Sequence, residues 1–240
     1  MKVSLLFLLL ALLAEIIGTV GGFGSSVFFV PIANFYFDFY SVLGLTALFH
    51  LSSNLSKIFL FKKGIDKTLL LYIGAPSVVM VVVGGLLSKV ADGWLLQVCL
   101  GGFLILLSLI FLVRKNLVVT PNKKNSIIGG SLSGFSAGLL GTGGAIRGLT
   151  MAAFNLEKSV FIATSAAIDL MIDASRTVVY FNNGYMSKDL LIYLPFLLAI
   201  GFVGSYFGKR ILNYIPQTRF RVLSLVLVLI VGIITLINVF

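Results

Sequence analysis

Long apolar runs separated by short polar gaps set the pattern of this chain. Runs near twenty residues recur at Val42–Phe61, Leu69–Leu87, Leu95–Val113, Leu190–Phe207 and Val222–Phe240. About 20 residues at 1.5 Å rise cross the roughly 30 Å hydrocarbon core of a bilayer, so each run predicts a transmembrane helix. The whole pattern divides into apolar segments at 3–20, 26–38, 42–61, 68–88, 94–113, 126–141, 144–156, 159–181, 189–208 and 219–239. The second, sixth and seventh are short, and a helix of about 13 residues covers only about 20 Å. They are expected as half-helices, re-entrant segments or short spans, giving 8–10 membrane segments in all. The opening MKVSLLFLLLALLAEIIG resembles a signal peptide, but no A-x-A-like cleavage site follows it. It is read as the first membrane segment.

Two glycine-rich breaks interrupt the apolar pattern, GTVGGFGSSVFFVP at 18–31 and GLLGTGGAIRGLTM at 138–151. Gly18, Gly21 and Gly24 recur as Gly138, Gly141 and Gly144, and Gly84 recurs as Gly204, at an offset of 120. Pro76 recurs as Pro195 at an offset of 119. The polar stretch RKNLVVTPNKKN divides the chain into a repeat at 1–113, a basic linker at 114–125 and a second repeat at 126–240. Loop charge then swaps between the halves. KKGIDK at 62–67 is basic and its counterpart NNGYMSKD at 182–189 is neutral; SKVADG at 88–93 is neutral and its counterpart GKRILNYIPQTRFR at 208–221 is basic. By the positive-inside rule, corresponding loops then lie on opposite sides of the membrane, the mark of an inverted-topology repeat. The expected protein is all-α and integral to a prokaryotic plasma membrane. Lys63 and Lys123 are expected on the cytoplasmic side, with Trp94 and both termini external.

Composition agrees. Hydrophobic residues make up 59% of the 240 positions and charged residues only 11%, against about 25% in soluble proteins. Mean hydropathy is +1.11. The net charge of +10 sits largely in loops, so it sets orientation rather than a nucleic-acid surface. The single cysteine, Cys99, excludes an internal disulfide. No metal-ligand cluster, cofactor motif or Ser/His/Asp spacing is present, and GFGSS lacks the lysine of a phosphate-binding loop, so an enzyme is not expected.

The third segment of each half carries a matched polar stripe. Thr46, His50, Asn54 and Lys57 have the same spacing as Ser165, Asp169, Asp173 and Arg176, each at an offset of 119. Positions i, i+4, i+8 and i+11 share one helix face. An ionisable residue near the bilayer centre costs about 2.5–3.5 kcal/mol, so this face is expected to turn into the protein or a water-filled cavity. Lys57 and Arg176 could instead snorkel, and Asp173 and Arg176 could form an i,i+3 ion pair. The glycine breaks add unpaired N–H groups where a helix restarts, an anion-compatible arrangement beside Ser25, Ser26 and Thr142. Close helix packing is the other use of such glycines.

Two halves, each opening with a glycine-broken segment and followed by a polar-striped helix and a Gly-containing fourth helix, resemble the TauE/SafE family of sulfite-exporter-like permeases. The resemblance runs from about residue 3 to 239 and rests best on the two glycine-rich breaks. Met151 departs from the pattern where the first copy has Pro31, and Arg147 departs where it has Val27. The resemblance implies transport of small sulfur-containing anions such as sulfite, sulfonates or sulfoacetate.

The leading expectation is a secondary transporter with its site between the two breaks. The candidate substrate-binding residues are Gly21, Gly22, Gly24, Ser25, Ser26, His50, Asn54, Lys57, Gly141, Thr142, Gly143, Gly144, Arg147, Asp169, Asp173 and Arg176. Lys57, Arg147 and Arg176 would be charge partners for the anion, and His50, Asp169 and Asp173 would carry coupling protons. Lys57 and Arg176 are expected toward opposite membrane faces, with His50 and Asp169 closer together near the middle. The alternative is a cation carrier or channel using Asp169 and Asp173; pairing of Asp173 with Arg176 argues against it. A homodimer is compatible with the sequence.

Overall fold

The computed structural model describes residues 4–61, 64–90, 93–114 and 117–237. Lys63, on which one topology expectation rests, lies outside the described residues. Regular structure among them is helical throughout, and falls into five helices per half. The first half has α1 (Leu5–Gly21), α2 (Ser26–Asn34), α3 (Phe39–Leu60), α4 (Lys67–Leu87) and α5 (Gly93–Val113). The second has α6 (Lys123–Leu140), α7 (Gly144–Ala153), α8 (Lys158–Asn182), α9 (Leu190–Asn213) and α10 (Gln217–Ile237).

Three of these, α4, α9 and Arg219–Ile237 of α10, are both long and apolar enough to cross a membrane. The chain is a multi-pass integral membrane protein. The expected count of 8–10 segments exceeds these three for a physical reason. The 22 residues of α3 and 25 of α8 suffice in length, but their polar stripes lower the hydropathy. Leu5–Gly21 and the Val98–Val113 part of α5 are apolar but shorter. Outward faces carry Leu9, Leu13, Val79, Leu86, Phe196 and Phe202, all exposed, as lipid contact requires.

Matched prolines distort α4 and α9 alike. A π turn at Leu70–Gly74 precedes Pro76, and a 3-10 turn through Tyr193 precedes Pro195. Proline offers no N–H and crowds the carbonyl four residues back, so the preceding turn loosens or tightens.

The two short helices, 9 residues in α2 and 10 in α7, fold back along the helices before them. Phe7, in the first turn of α1, packs its ring against Phe29, Tyr36 and Phe37 at 5.8, 5.2 and 5.2 Å. In the second half the Val119 N–H donates to the Ala153 carbonyl at 2.8 Å, beside the start of α6. Each glycine-broken pair therefore folds back on itself, and its two ends lie at the same end of the bundle.

Packing exchanges elements between the halves. Gly130, Gly134 and Gly138 of α6 lie on Ile73, Ser77 and Val81 of α4, so these helices run parallel. A Cβ at these glycines would fall 2.3, 2.2 and 2.1 Å from the opposing carbonyl oxygens. In the same way Gly204 and Gly208 of α9 lie on Glu15 and Thr19 of α1, again parallel. Equivalent helices face each other in opposite directions. Gly44 of α3 meets Tyr185 just past α8, Asn54 bonds to Asp173, and Gly64 just past α3 meets Ser159 near the start of α8. Gly101 of α5 lies on Leu236 of α10, and Gly232 on Ile105.

Loops gather at two ends. At one, Lys209 donates to the Leu60 carbonyl at 2.6 Å, Lys158 to that of Ile215 at 2.8 Å and Arg221 to that of Leu117 at 2.5 Å. Asp66 N–H meets Thr164 there at 2.9 Å. At the other end Ser88 bonds to Tyr185 at 3.0 Å, and Phe7 packs on Tyr193 at 5.6 Å. The basic residues thus congregate at the first end.

Candidate functional site

Both breaks end a helix in a left-handed glycine. Gly22 has φ +83° and its N–H returns to the Gly18 carbonyl at 3.0 Å; Gly141 has φ +74° and returns to Ala137 at 3.0 Å. A side chain would strain either position. The chain then restarts as α2 and α7, with no side-chain cap at Ser25 or Gly143. Ser133 and Ser136 of α6 donate to the carbonyls of Gly143 and Thr142, at 2.9 and 2.6 Å, and pin the second break.

The breaks touch each other. Arg147 Nη2 donates to the Phe23 carbonyl at 2.8 Å, and Gly144 sits so close that a Cβ there would be 2.2 Å from the same oxygen. Gly21 and Gly148 flank the Phe23 ring. Gly24, at φ +92°, leaves room for the Asp169 carboxylate, 3.1 Å from where its Cβ would be.

The stripes of α3 and α8 face inward and meet. His50, Asn54, Lys57, Ser165, Asp169, Asp173 and Arg176 are all buried. Arg147 pairs with Asp169 through both terminal nitrogens and donates Nε–H to Ser165 at 2.8 Å. Arg176 pairs with Asp173 at 2.7 Å and donates to the Gly141 carbonyl at 2.7 Å. Asn54 donates to Asp173 at 2.6 Å, so equivalent positions of the two halves bond directly. Lys57 and Arg176 lie one turn beyond that contact along antiparallel helices, in opposite directions. Thr46 departs from the group: its hydroxyl goes to the Val42 carbonyl of its own helix.

The expected central pair of His50 and Asp169 is not a bonded pair. His50 Nε2 meets Ser25 Oγ at 3.0 Å, while Asp169 is taken by Arg147. The cross-half contact falls one turn further along, at Asn54 and Asp173. Both aspartates are matched to arginines, which removes the free carboxylates that a cation carrier was expected to offer.

Sequence reasoning passed over Glu15. This carboxylate is fully buried on α1 and accepts on Oε1 from Thr19 at 3.1 Å, Ser53 at 2.6 Å and Ser205 at 2.9 Å. Lys57 Nζ is 2.9 Å away, and Ser25 Oγ donates to Oε2. The signal was present: Glu15 is the sole acid in the first apolar segment, and an intramembrane acid is a site candidate by default.

A cavity of about 740 Å³ reaches this region from the Trp94 end. Exposed Phe35, Tyr40 and Trp94 rim it; buried Val27 and Leu140 line it beside Thr142. Thr142 is the only candidate substrate-binding residue that lines it. Asn34, Asp38, Ser88 and Thr235 also line it, and the sequence offered no pattern that singled them out. At the equivalent place in the other half, Phe161 packs on Gly22 and stacks edge-on with Phe220 at 5.1 Å, both buried. Thr142 Oγ1 and Arg176 Nε are buried atoms without a hydrogen-bond partner. No group of three or more His, Cys, Asp or Glu suited to a metal occurs among the described residues.

Comparison with curated proteins returns no match. The family described as sulfite exporter TauE/SafE matches residues 7–235, nearly the whole chain and both glycine breaks. With the membrane helices, this supports a membrane transporter of small anions. The chain belongs to the sulfite exporter TauE/SafE family.

Proposed function

We propose that this protein is a secondary transporter that carries a small sulfur-containing anion, such as sulfite, a sulfonate or a sulfoacetate-like acid, by proton-coupled alternating access between inverted repeats. The antiparallel pairing of α3 with α8 and of α5 with α10, and the exchanged pairing of α1 with α9 and of α4 with α6, support an inverted relation between the halves. The positive-inside rule makes the lysine- and arginine-rich end cytoplasmic, so the cavity mouth faces outward with both chain ends.

The observation that carries this reading is the one-sided cavity. It opens at one end and stops at Thr142 on the second break, while phenylalanines fill the matching place in the other half. Two halves of one architecture, one open and one closed, are what alternating access requires. Thr142 Oγ1 and the Nε–H of Arg176 supply polar atoms that no protein group satisfies, beside the break where an oxyanion would dock. Charge supports the proton. Lys57–Glu15, Arg147–Asp169 and Arg176–Asp173 balance to zero, so an arriving anion leaves the buried site negative unless a proton joins it.

The test is flux in proteoliposomes holding the full chain, with labelled sulfite, a short alkylsulfonate, sulfate and rubidium, with and without an imposed pH gradient. Sulfite or sulfonate uptake driven by the gradient is expected, with Thr142→Trp abolishing it. Rubidium flux without anion flux would replace this reading with the cation carrier.

A further inference from the structure

We infer that Glu15, Ser25 and His50 form a proton relay, and that Glu15 is the carboxylate that takes the coupling proton and so releases Lys57 from its ion pair. This rests on the transporter reading above for its consequence, but not for its chemistry. The three side chains come from three elements: Glu15 from α1, Ser25 from the first break and His50 from the stripe of α3. Ser25 Oγ sits between the other two, donating to Glu15 Oε2 and 3.0 Å from His50 Nε2.

Hydrogen-bond bookkeeping fixes the starting state. A serine hydroxyl has one proton, and an ionised carboxylate only accepts. With that proton on Glu15, His50 Nε2 must carry its own hydrogen and donate it to Ser25. The carboxylate is also lopsided. Thr19, Ser53, Ser205 and Lys57 all crowd Oε1, while Ser25 is the one partner of Oε2 among the described contacts. Oε2 therefore has the vacant lone pair.

The relay follows without a further reagent. A proton binds His50 at Nδ1, the ring nitrogen turned away from Ser25. The Nε2 proton passes to Ser25 Oγ, and the Ser25 proton passes to Glu15 Oε2. The imidazole ends neutral as the Nδ1–H tautomer, Glu15 ends as a carboxylic acid, and every hydrogen bond in the chain has reversed direction. One proton has been taken up and none lost. Lys57 keeps its charge but loses its counter-ion, so the site gains one positive charge. The charged and titratable groups facing the relay are Lys57 on α3, Arg147 on α7, and Asp169 and Arg176 on α8. The break and α9 contribute only hydroxyls, Ser25 and Ser205, and α10 presents Leu227. Arg147 and Arg176 are held by their own aspartates, which leaves Lys57 as the cation that Glu15 alone controls.

The test needs no substrate. Infrared difference spectra of the purified full chain, taken on acidification, should show a protonated carboxyl C=O band. The band should vanish in Glu15→Gln, survive in Asp169→Asn and Asp173→Asn, and shift in Ser25→Ala, which cuts the relay without removing a charge. In vesicles, Glu15→Gln should lose gradient-driven sulfite accumulation and keep sulfite–sulfite exchange. A wild type without the band, or a band that survives Glu15→Gln, overturns the relay, and Ser25→Ala decides the matter if Glu15→Gln fails to fold. A band that tracks Glu15 in a protein moving no anion would leave the relay standing and sink the transport reading.

Discussion

Replacing Gly144 with alanine puts one methyl group where the two breaks meet. Its Cβ would lie 2.2 Å from the Phe23 carbonyl oxygen, against 3.4–4 Å for ordinary contact. The oxygen must retreat by more than an ångström, and it is the same oxygen that accepts from Arg147 Nη2 at 2.8 Å. Overpacking a tight site costs about 1–3 kcal/mol. Losing a hydrogen bond from a charged donor costs about 1.5–3 kcal/mol. The better helix propensity of alanine returns up to about 1 kcal/mol. The net is about 3 kcal/mol, or roughly 100-fold in the folding equilibrium. Gly102→Ala is the internal control, because nothing lies within 4 Å of its Cβ and it sits inside α5. It should be neutral or slightly stabilising. Titration of the purified protein with SDS, read by tryptophan fluorescence of Trp94, gives both midpoints. Equal midpoints for Gly144→Ala and Gly102→Ala would refute the claim that the breaks are locked together.

Four further outcomes follow from other contacts. Asn54→Asp sets a carboxylate against Asp173, 2.6 Å from the atom it replaces; uptake should collapse near neutral pH and recover on acidification, as one carboxyl takes a proton. Tyr180→Phe removes bonds to the Ala137 and Gly138 carbonyls, at 3.1 and 2.7 Å, and should lower stability by about 1–2 kcal/mol in the same SDS titration. Thr142→Val deletes a hydroxyl with no protein partner, so the unfolding midpoint should hold or rise while the KM for sulfite increases. Asp38 caps α3, accepting from the Ser41 hydroxyl at 2.6 Å and its N–H at 3.1 Å, which lowers its carboxyl below the usual range. A depressed folded-state value gives stability above the unfolded value near 3.9 that is lost as pH falls through the folded one. Asp38→Ala should therefore cost about 1 kcal/mol at neutral pH and nothing in strong acid.

The glycines and the stripe were legible because each repeats. A single Gly24 or Asp173 says little, but a matching pattern 119 or 120 residues away fixes a register, and Gly22 and Gly141, 119 apart, are both left-handed in the structure. The hairpin form of the short helices was not legible. It depends on Phe7 meeting Phe37 and on Val119 meeting Ala153, contacts that no periodicity encodes. Charge pairing was half legible. Asp173 and Arg176 are i,i+3 on one helix, whereas Arg147 reaches Asp169 from another, and Lys57 reaches Glu15 from the far side of the first break. Glu15 also has no acidic twin at the repeat offset, where Phe135 stands, so a search for matched residues passes over it. The cavity wall escaped because Asn34, Ser88 and Thr235 come from separate helix ends and are polar one at a time.

The contact between Glu15 and Ser205 has a consequence for biosynthesis. The first helix leaves the ribosome carrying an acid, one of whose partners is made late. At about 5–20 residues per second, Ser205 follows Glu15 by roughly 10–40 s. For that interval the carboxylate has Thr19, Ser25, Ser53 and Lys57 within reach but no α9 to close the side that Ser205 covers, and lipid there is a costly neighbour for it. The helix can pair with α3 early, but its site is closed only when the fourth helix of the second half arrives. Chains truncated before residue 205 should therefore be degraded, while the same truncation carrying Glu15→Leu should be spared. The exchange of helices between the halves makes this chain a late assembler, whose first-made helix is among the last to be locked in place.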